Sequence, residues 1–552
     1  MGHPRCAVKI GIGFTFILAL AGIASRAVIM VSGLARPLSN NIFFRLYAMH
    51  ELPFLLLLAA TSIIVMVVLR LATPDAALDG DLDVMRLPRS EGGPTWLLAT
   101  VVVMVTLAAT HVMMHRLLFS MDEFSADFQA RLFAGGRLAT LVPAVWRPFA
   151  PLITPVFVAY LPSGSWMSIY LPMYALIKAP FVAIGLGELL NPLLAGLAII
   201  AMAGIGRRLW PAERLRPWLA IALLASSSEF LITSASGYTM PAHLALNLVW
   251  LWLYLRDDNR SWAAALGVGV VAMGLHQPFP HALFVAPFLI RLVRDRRWNR
   301  AGSAAAVYGV ASVVWFLWIR AAQPVAQAGQ GGLSSVFALP DARGIWLQVV
   351  NLALLFTWQA PVAALLVAAA LASRRARSPV LNDAALGVAL TLGFYFFFPA
   401  TQGHGWGYRY AYQVLGNLAL LGAAGIAPLR DALGARRALQ VAWAGIVAAL
   451  VIQLPVRVVE TERFVRPFAA AQAYVRSRPA DVVVLHTDSV WYGRDLVRND
   501  PFLRGQPVVV GTGMLQLSDR EALRQALPGR VIDVTDAELL ALGMTRWTHP
   551  VR

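Results

Sequence analysis

The feature that most limits how this chain can fold is a series of apolar stretches, each about 16–24 residues long. They lie near residues 10–33, 50–71, 95–115, 190–206, 217–234, 241–256, 261–276, 279–293, 302–321, 345–371, 382–399, 409–428 and 437–455. A helix of about 20 such residues matches the hydrocarbon thickness of a bilayer. The pattern therefore predicts an all-α polytopic membrane protein with about thirteen transmembrane helices. Composition agrees: 58% of the 552 residues are hydrophobic and 14% are charged, against about half and a quarter in a soluble domain. One globular core cannot enclose that much apolar surface, so lipid must cover the excess.

The net charge is +17, which on a soluble domain would suggest nucleic acid. Here the arginines sit in short connections between apolar stretches, where they mark topology, and nucleic acid is not expected as a partner. With a cytoplasmic N-terminus, the inner connections carry Arg70, Arg86 and Arg89, then Arg207, Arg208, Arg214 and Arg216, then Arg256 and Arg260. Arg291, Arg294, Arg296, Arg297 and Arg300 follow, then Arg374, Arg375 and Arg377, then Arg430, Arg436 and Arg437. The short outer connections carry only Arg36, Arg45, Arg343 and Arg409. An odd number of spans then puts the C-terminal tail outside. Much alanine and arginine with little lysine points to a bacterial inner (plasma) membrane. Cys6 is the only cysteine, which excludes an intrachain disulfide and a thiolate metal cluster. The first stretch is long for a signal peptide and contains Arg26, so it reads as a retained span.

Three parts follow: residues 1–94 with two helices and a cytoplasmic loop, a transmembrane core over 95–455, and an extracytoplasmic domain over 456–552. The core carries a long outer loop, 116–189. Within it Phe124, Phe128, Leu132 and Phe133 recur at helical spacing, predicting a helix in the membrane interface with its apolar side down. Met167–Gly187 reads as a second helix on or dipping into the membrane. In the tail, Val482-Leu485, Pro507-Val510 and Val531-Val534 are strand-like, and Ser518–Glu521 and Thr535–Glu538 fit capping boxes. A small α/β domain is expected, and without a glycine-rich loop after any strand nucleotide binding has no support.

Chemistry concentrates in the outer connections. Asp122 and Glu123 follow the third span, where burial and neighbouring cations tune a carboxyl group for acid/base work; a solvated helix N-terminus is the alternative. Thr401–Tyr410 holds three glycines, His404, Trp406, Tyr408 and Arg409. Glycine lets backbone approach a ligand and arginine grips phosphate or carboxylate, while interface-belt aromatics and a snorkelling arginine are the plain alternative. His276 and His281 flank another outer turn with no carboxylate beside them, and Arg147 is a further anion contact candidate. His486 and Asp488 read as surface loop. Apart from Arg26, ionisable groups avoid the span centres, which weighs against an ion-driven transporter.

The order of these features resembles the GT-C superfamily of polytopic glycosyltransferases, which includes the protein O-mannosyltransferases and the lipid A aminoarabinose transferase. Three features carry the resemblance: Asp122-Glu123 after a span, followed by the helix from Ser125 to Leu138; Pro148–Gly187 leading through Asn191-Pro192 into a span ending at Arg207-Arg208; and Gly405-Trp-Gly-Tyr-Arg-Tyr410, similar to the Gly-Trp-Gly-Pro-Arg-Tyr of many bacterial members. Tyr408 stands where the family has proline. The resemblance implies sugar transfer from a polyprenyl-phosphate donor to an acceptor on the extracytoplasmic face, among membrane lipids. It assigns Asp122 as catalytic acid/base, Glu123 as its helper, and Arg409 as holder of the leaving phosphate, with His404 a donor or acceptor contact. Some members use a divalent metal, for which this sequence offers no ligand set. A lipid-linked-glycan flippase and a noncatalytic scaffold with an outer binding domain are the competing readings.

Overall fold

The structure, a computed structural model, describes residues 4–32, 42–72, 92–322, 337–398, 402, 405–487, 489–505, 507–513, 515 and 517–546. Arg36, Arg86, Arg89, His404 and Asp488 lie outside them. Every apolar stretch found in the sequence is helical among these residues. By length and composition eight helices can cross a membrane: Pro4–Ser32, Leu52–Leu71, Gly93–Val112, Gly187–Leu209, Trp298–Ala321, Pro379–Phe396, Arg409–Leu433 and Ala435–Arg476. A ninth is the pair Leu215–Ala225 and Ser228–Ser234, bent by 57° where Ser227 caps the second half by accepting from the Phe230 amide. The other expected spans form shorter helices. Met240–Tyr254, Asn259–Met273 and Phe279–Arg294 have 15, 15 and 16 residues, and the 345–371 stretch is broken into Ala342–Thr357 and Ala363–Ala372. The protein is thus a multi-pass membrane protein, with thirteen spans not reached by helix length alone.

After Gly93–Val112 the chain reverses through His115 and Arg116, both at positive φ, and starts the helix Met121–Ala134. Ser120 and Glu123 close a capping box at its start, satisfying otherwise orphaned amides. This helix does not lie apolar side down on lipid. Phe124, Phe128 and Leu132 instead pack with Val142, Trp166 and the strand residues Val482, Val484, Val508 and Val510. The reason lies in two sheets that periodicity within the helix cannot reveal. One is antiparallel, order β1-β3-β2, from β1 (Thr140–Leu141), β2 (Val158–Tyr160) and β3 (Ser165–Ser168). The other is the C-terminal sheet β4 (Val482–Leu485), β5 (Val508–Gly511) and β6 (Val531–Val534), parallel, order β5-β4-β6.

The C-terminal α/β unit forms where its strands were expected. Thr535 and Glu538 make the expected capping box, whereas the helix Leu517–Ala526 begins before Ser518 and not after it. The unit sits on the same face as the outer loop: Trp166 donates to the Pro501 carbonyl (2.9 Å), and Arg498 donates to the carbonyls of Leu118 (2.6 Å) and Phe119 (2.9 Å). The helix Ala435–Arg476 runs unbroken through residue 456 into this unit.

The Met167–Gly187 stretch is strand and then helix: β3 ends at Ser168 and a helix follows over Met173–Ala183. The first two spans dock on the core through a buried ion pair. Arg457 holds Glu51 with both terminal nitrogens (2.8 and 2.7 Å) between the rings of Phe54 and Trp358.

Candidate active site

Asp122 lies in the first turn of the helix Met121–Ala134, where the helix dipole favours a negative charge. Arg409 starts a 3-10 turn, Arg409–Val414, leading into a buried membrane helix. The fold brings these residues, 287 positions apart, to 3.0 Å between Asp122 Oδ2 and Arg409 Nη1. Both side chains are about nine-tenths buried, with 13% and 12% exposed. The loop before Arg409 is shaped by Gly407 at φ +73°, where a Cβ would meet the Glu229 carboxylate at 2.5 Å. Gln402 ties that loop by donating to the Gly407 carbonyl (2.8 Å).

Tyr170, just after β3, donates its hydroxyl to Asp122 Oδ1, and Ser120 donates to Oδ2 (3.3 Å). The Tyr170 ring lies 3.8 Å from the imidazole of His276. Sequence reading missed Tyr170, because only the β-hairpin carries it to the acid. Burial would raise the pKa of Asp122, but Arg409, His276 and the Tyr170 bond outweigh it and hold the carboxyl below its ordinary value. Burial and Asp122 push the Tyr170 phenol well above its own, so it stays a donor. Burial lowers His276 to about 4, leaving a neutral ring. Among the described residues Arg409 Nε and His276 Nδ1 are buried without partners, so the site retains hydrogen-bonding capacity for a ligand.

The remaining sequence candidates separate. Glu123 accepts from the amides of Ser120 (3.2 Å) and Gly237 (2.7 Å); it caps the helix and pins it to residue 237, and does not join Asp122 at the pocket. The Ser-x-x-Glu spacing at 120–123 was the signal for this. Tyr408 is 1% exposed within the main hydrophobic cluster, where its ring packs with apolar neighbours and does not stand open beside Arg409. Arg147 donates to the Val142 carbonyl (3.0 Å), and among the described residues nothing links it to Arg409. His281 pairs its Nδ1 with Asn247 (2.7 Å) within the helices. Trp406 packs on Phe119 and Phe464 and lines a cavity whose lining does not include Arg409. Among the described residues no group of three or more His, Cys, Asp or Glu side chains is placed to hold a metal ion.

By sequence, no family model and no curated protein matches the chain. By structure, it resembles ArnT from Cupriavidus metallidurans in the apo state, with a TM-score of 0.52 and 13% identity over 81% of this chain and 94% of that one. Over that length the chain shares the fold of this ArnT structure. Two further likenesses are ArnT from the same organism bound to undecaprenyl phosphate (TM-score 0.47, 15% identity, 79% of this chain and 89% of that one) and the archaeal oligosaccharyltransferase AglB from Archaeoglobus fulgidus in complex with an inhibitory peptide and a dolichol-phosphate (0.36, 11%, 75% and 64%). In this chain the acid–arginine pair sits where the outer loop meets the late membrane helices.

Proposed function

We propose that the protein is a glycosyltransferase of the plasma membrane that takes a sugar from a polyprenyl-phosphate donor, on the face away from the cytoplasm. The contact between Asp122 and Arg409 carries this reading: a buried acid meets, beside membrane helices, a guanidinium whose Nε has no partner among the described residues. Arg409 binds the donor phosphate, and the acceptor hydroxyl oxygen attacks the anomeric carbon as the carbon–oxygen bond to phosphate breaks. Asp122 takes the acceptor proton, while Arg409 meets the charge that grows on the leaving oxygen. The free-state ion pair gives these roles a sequence. Donor phosphate competes for the guanidinium, and Asp122, losing its counter-charge, gains proton affinity as substrate binds.

The test is turnover of labelled polyprenyl-phosphate sugars by the full chain in liposomes supplied with envelope lipids. Wild type should release polyprenyl phosphate and form a new glycosidic bond, and Asp122→Asn should not. Equal turnover by both removes Asp122 as base. Lipid movement across the bilayer without bond formation would favour a flippase.

A further inference from the structure

Behind the Gly405–Gly407 loop lies a second cavity that the catalytic pair does not use. Its enclosed part is about 50 Å³ and is lined by Tyr47, Glu51, Trp358, Gln402, Trp406 and Arg457, with Thr461 and Phe464 on its outer side. Among the described residues, four polar atoms on this lining are buried without a partner: Trp406 Nε1, Gln402 Oε1, Arg457 Nε and Thr461 Oγ1. Their residues are 5%, 3%, 1% and 1% exposed. A buried polar group is costly to leave unbonded, so four around one space mark it as a binding place. The cavity shares His50, Glu460 and Phe464 with a groove of about 530 Å³ running along Val456 and Val459. Both valines are exposed, on a helix whose preceding Val451 and Ile452 are exposed as well, as on a lipid-facing surface.

We propose that this cavity and groove bind a lipid with a hydroxylated, sugar-type headgroup, and this binding does not depend on the glycosyl-transfer reading above. The chemistry selects hydroxyls over anions. The terminal nitrogens of Arg457 are taken by Glu51 and Glu460, and Glu460 also lies against His50. Among the described residues these charges are thus already paired within the protein, and the cavity offers an anion no free cation; Arg463 lines only the groove. The unpartnered set is mixed, with two N–H donors, one carbonyl acceptor and one hydroxyl that does both. Sugar hydroxyls give and take in the same way. Trp406, Trp358, Tyr47 and Phe464 supply flat apolar walls for a sugar ring's C–H face. The small volume admits one edge of a sugar, with the ring at the mouth and the tail in the groove.

The experiment uses the full chain in a sugar-free polyoxyethylene detergent and a photoreactive alkyl glucoside, with the matching alkyl alcohol as control. Saturable binding of the glucoside and not of the alcohol is expected, with cross-links on peptides holding Trp406 and Phe464. Gln402→Leu and Thr461→Val should each weaken it about tenfold, the effect of one or two lost hydrogen bonds. Asp122→Asn should bind as wild type does, even if the transfer reading fails. Equal uptake of the alcohol, cross-links elsewhere, or unchanged affinity in both variants would overturn the proposal and leave ordered water as the occupant.

Discussion

Two arginine–carboxylate pairs join distant parts of this chain, and they are built differently. Arg457 meets Glu51 across 406 positions with two bonds, flat between two rings, and Glu51 also accepts from Thr357 (2.7 Å) and Trp358 (3.1 Å). Arg409 meets Asp122 through one bond of 3.0 Å and leaves both partners slightly open, whereas Arg457 and Glu51 are almost fully buried. The first carboxylate is saturated by fixed donors. The second is held by a tyrosine, a serine and an arginine that a phosphate can draw away. A buried ion pair becomes a clasp when its geometry is complete, and a reaction site when one member stays available for a ligand.

The contrast breaks most sharply on substitution. Asp122→Asn should cut turnover by about 10³-fold or more and lower the unfolding temperature less than Glu51→Leu does, because the amide keeps a carbonyl acceptor for Arg409 and that pair is more open, measured on the same preparation by assay and calorimetry. Glu51→Leu should do the reverse kind of damage. It strands the Arg457 charge in a dry site, at about 3–5 kcal/mol, read as a large drop in unfolding temperature. Arg409→Lys should retain charge but lose the planar fork, lowering kcat by about 10²-fold with donor binding weakened; unchanged donor kinetics would reject its phosphate role.

Smaller effects sharpen the picture. In wild type, activity that needs ionised Asp122 should fall only below the ordinary carboxylate range, since the acid's pKa is lowered. Tyr170→Phe removes one bond to the ionised form, so the acidic limb of the pH profile should move upward; a stationary limb would mean that Tyr170 does not hold the acid. Glu123 is raised by burial from 4.5 to about 7, against the pull of the Gly237 and Ser120 amides. The native state then keeps a proton that the unfolded chain has lost, so stability falls as pH rises from about 4.5 to about 7. Glu123→Gln should flatten that decline in unfolding temperature, the smallest of the expected changes.

The membrane fold was legible because hydrophobic length is a local property, and the three tail strands for the same reason. Asp122 and Arg409 were legible as chemistry-bearing residues at matching ends of spans, and the order of motifs suggested that they meet. Glu123 was read as a catalytic helper although its spacing from Ser120 spelled a cap. Tyr170 stood 48 positions from Asp122 with no motif around it, and only the β-hairpin delivers it. Trp406, read as a pocket residue, packs instead on Phe119 and Phe464, partners that lie 287 and 58 positions away and that no local motif announces.

By itself the sequence determined that the chain is a multi-pass helical membrane protein, since the need to cover apolar surface with lipid follows from composition and segment length alone; how many of the apolar stretches are long enough to cross unbroken was decided by the helices themselves. Tertiary structure decided which carboxylate stays available and which is locked. That choice depends on how many donors converge on each oxygen, and those donors come from helices and strands hundreds of residues apart.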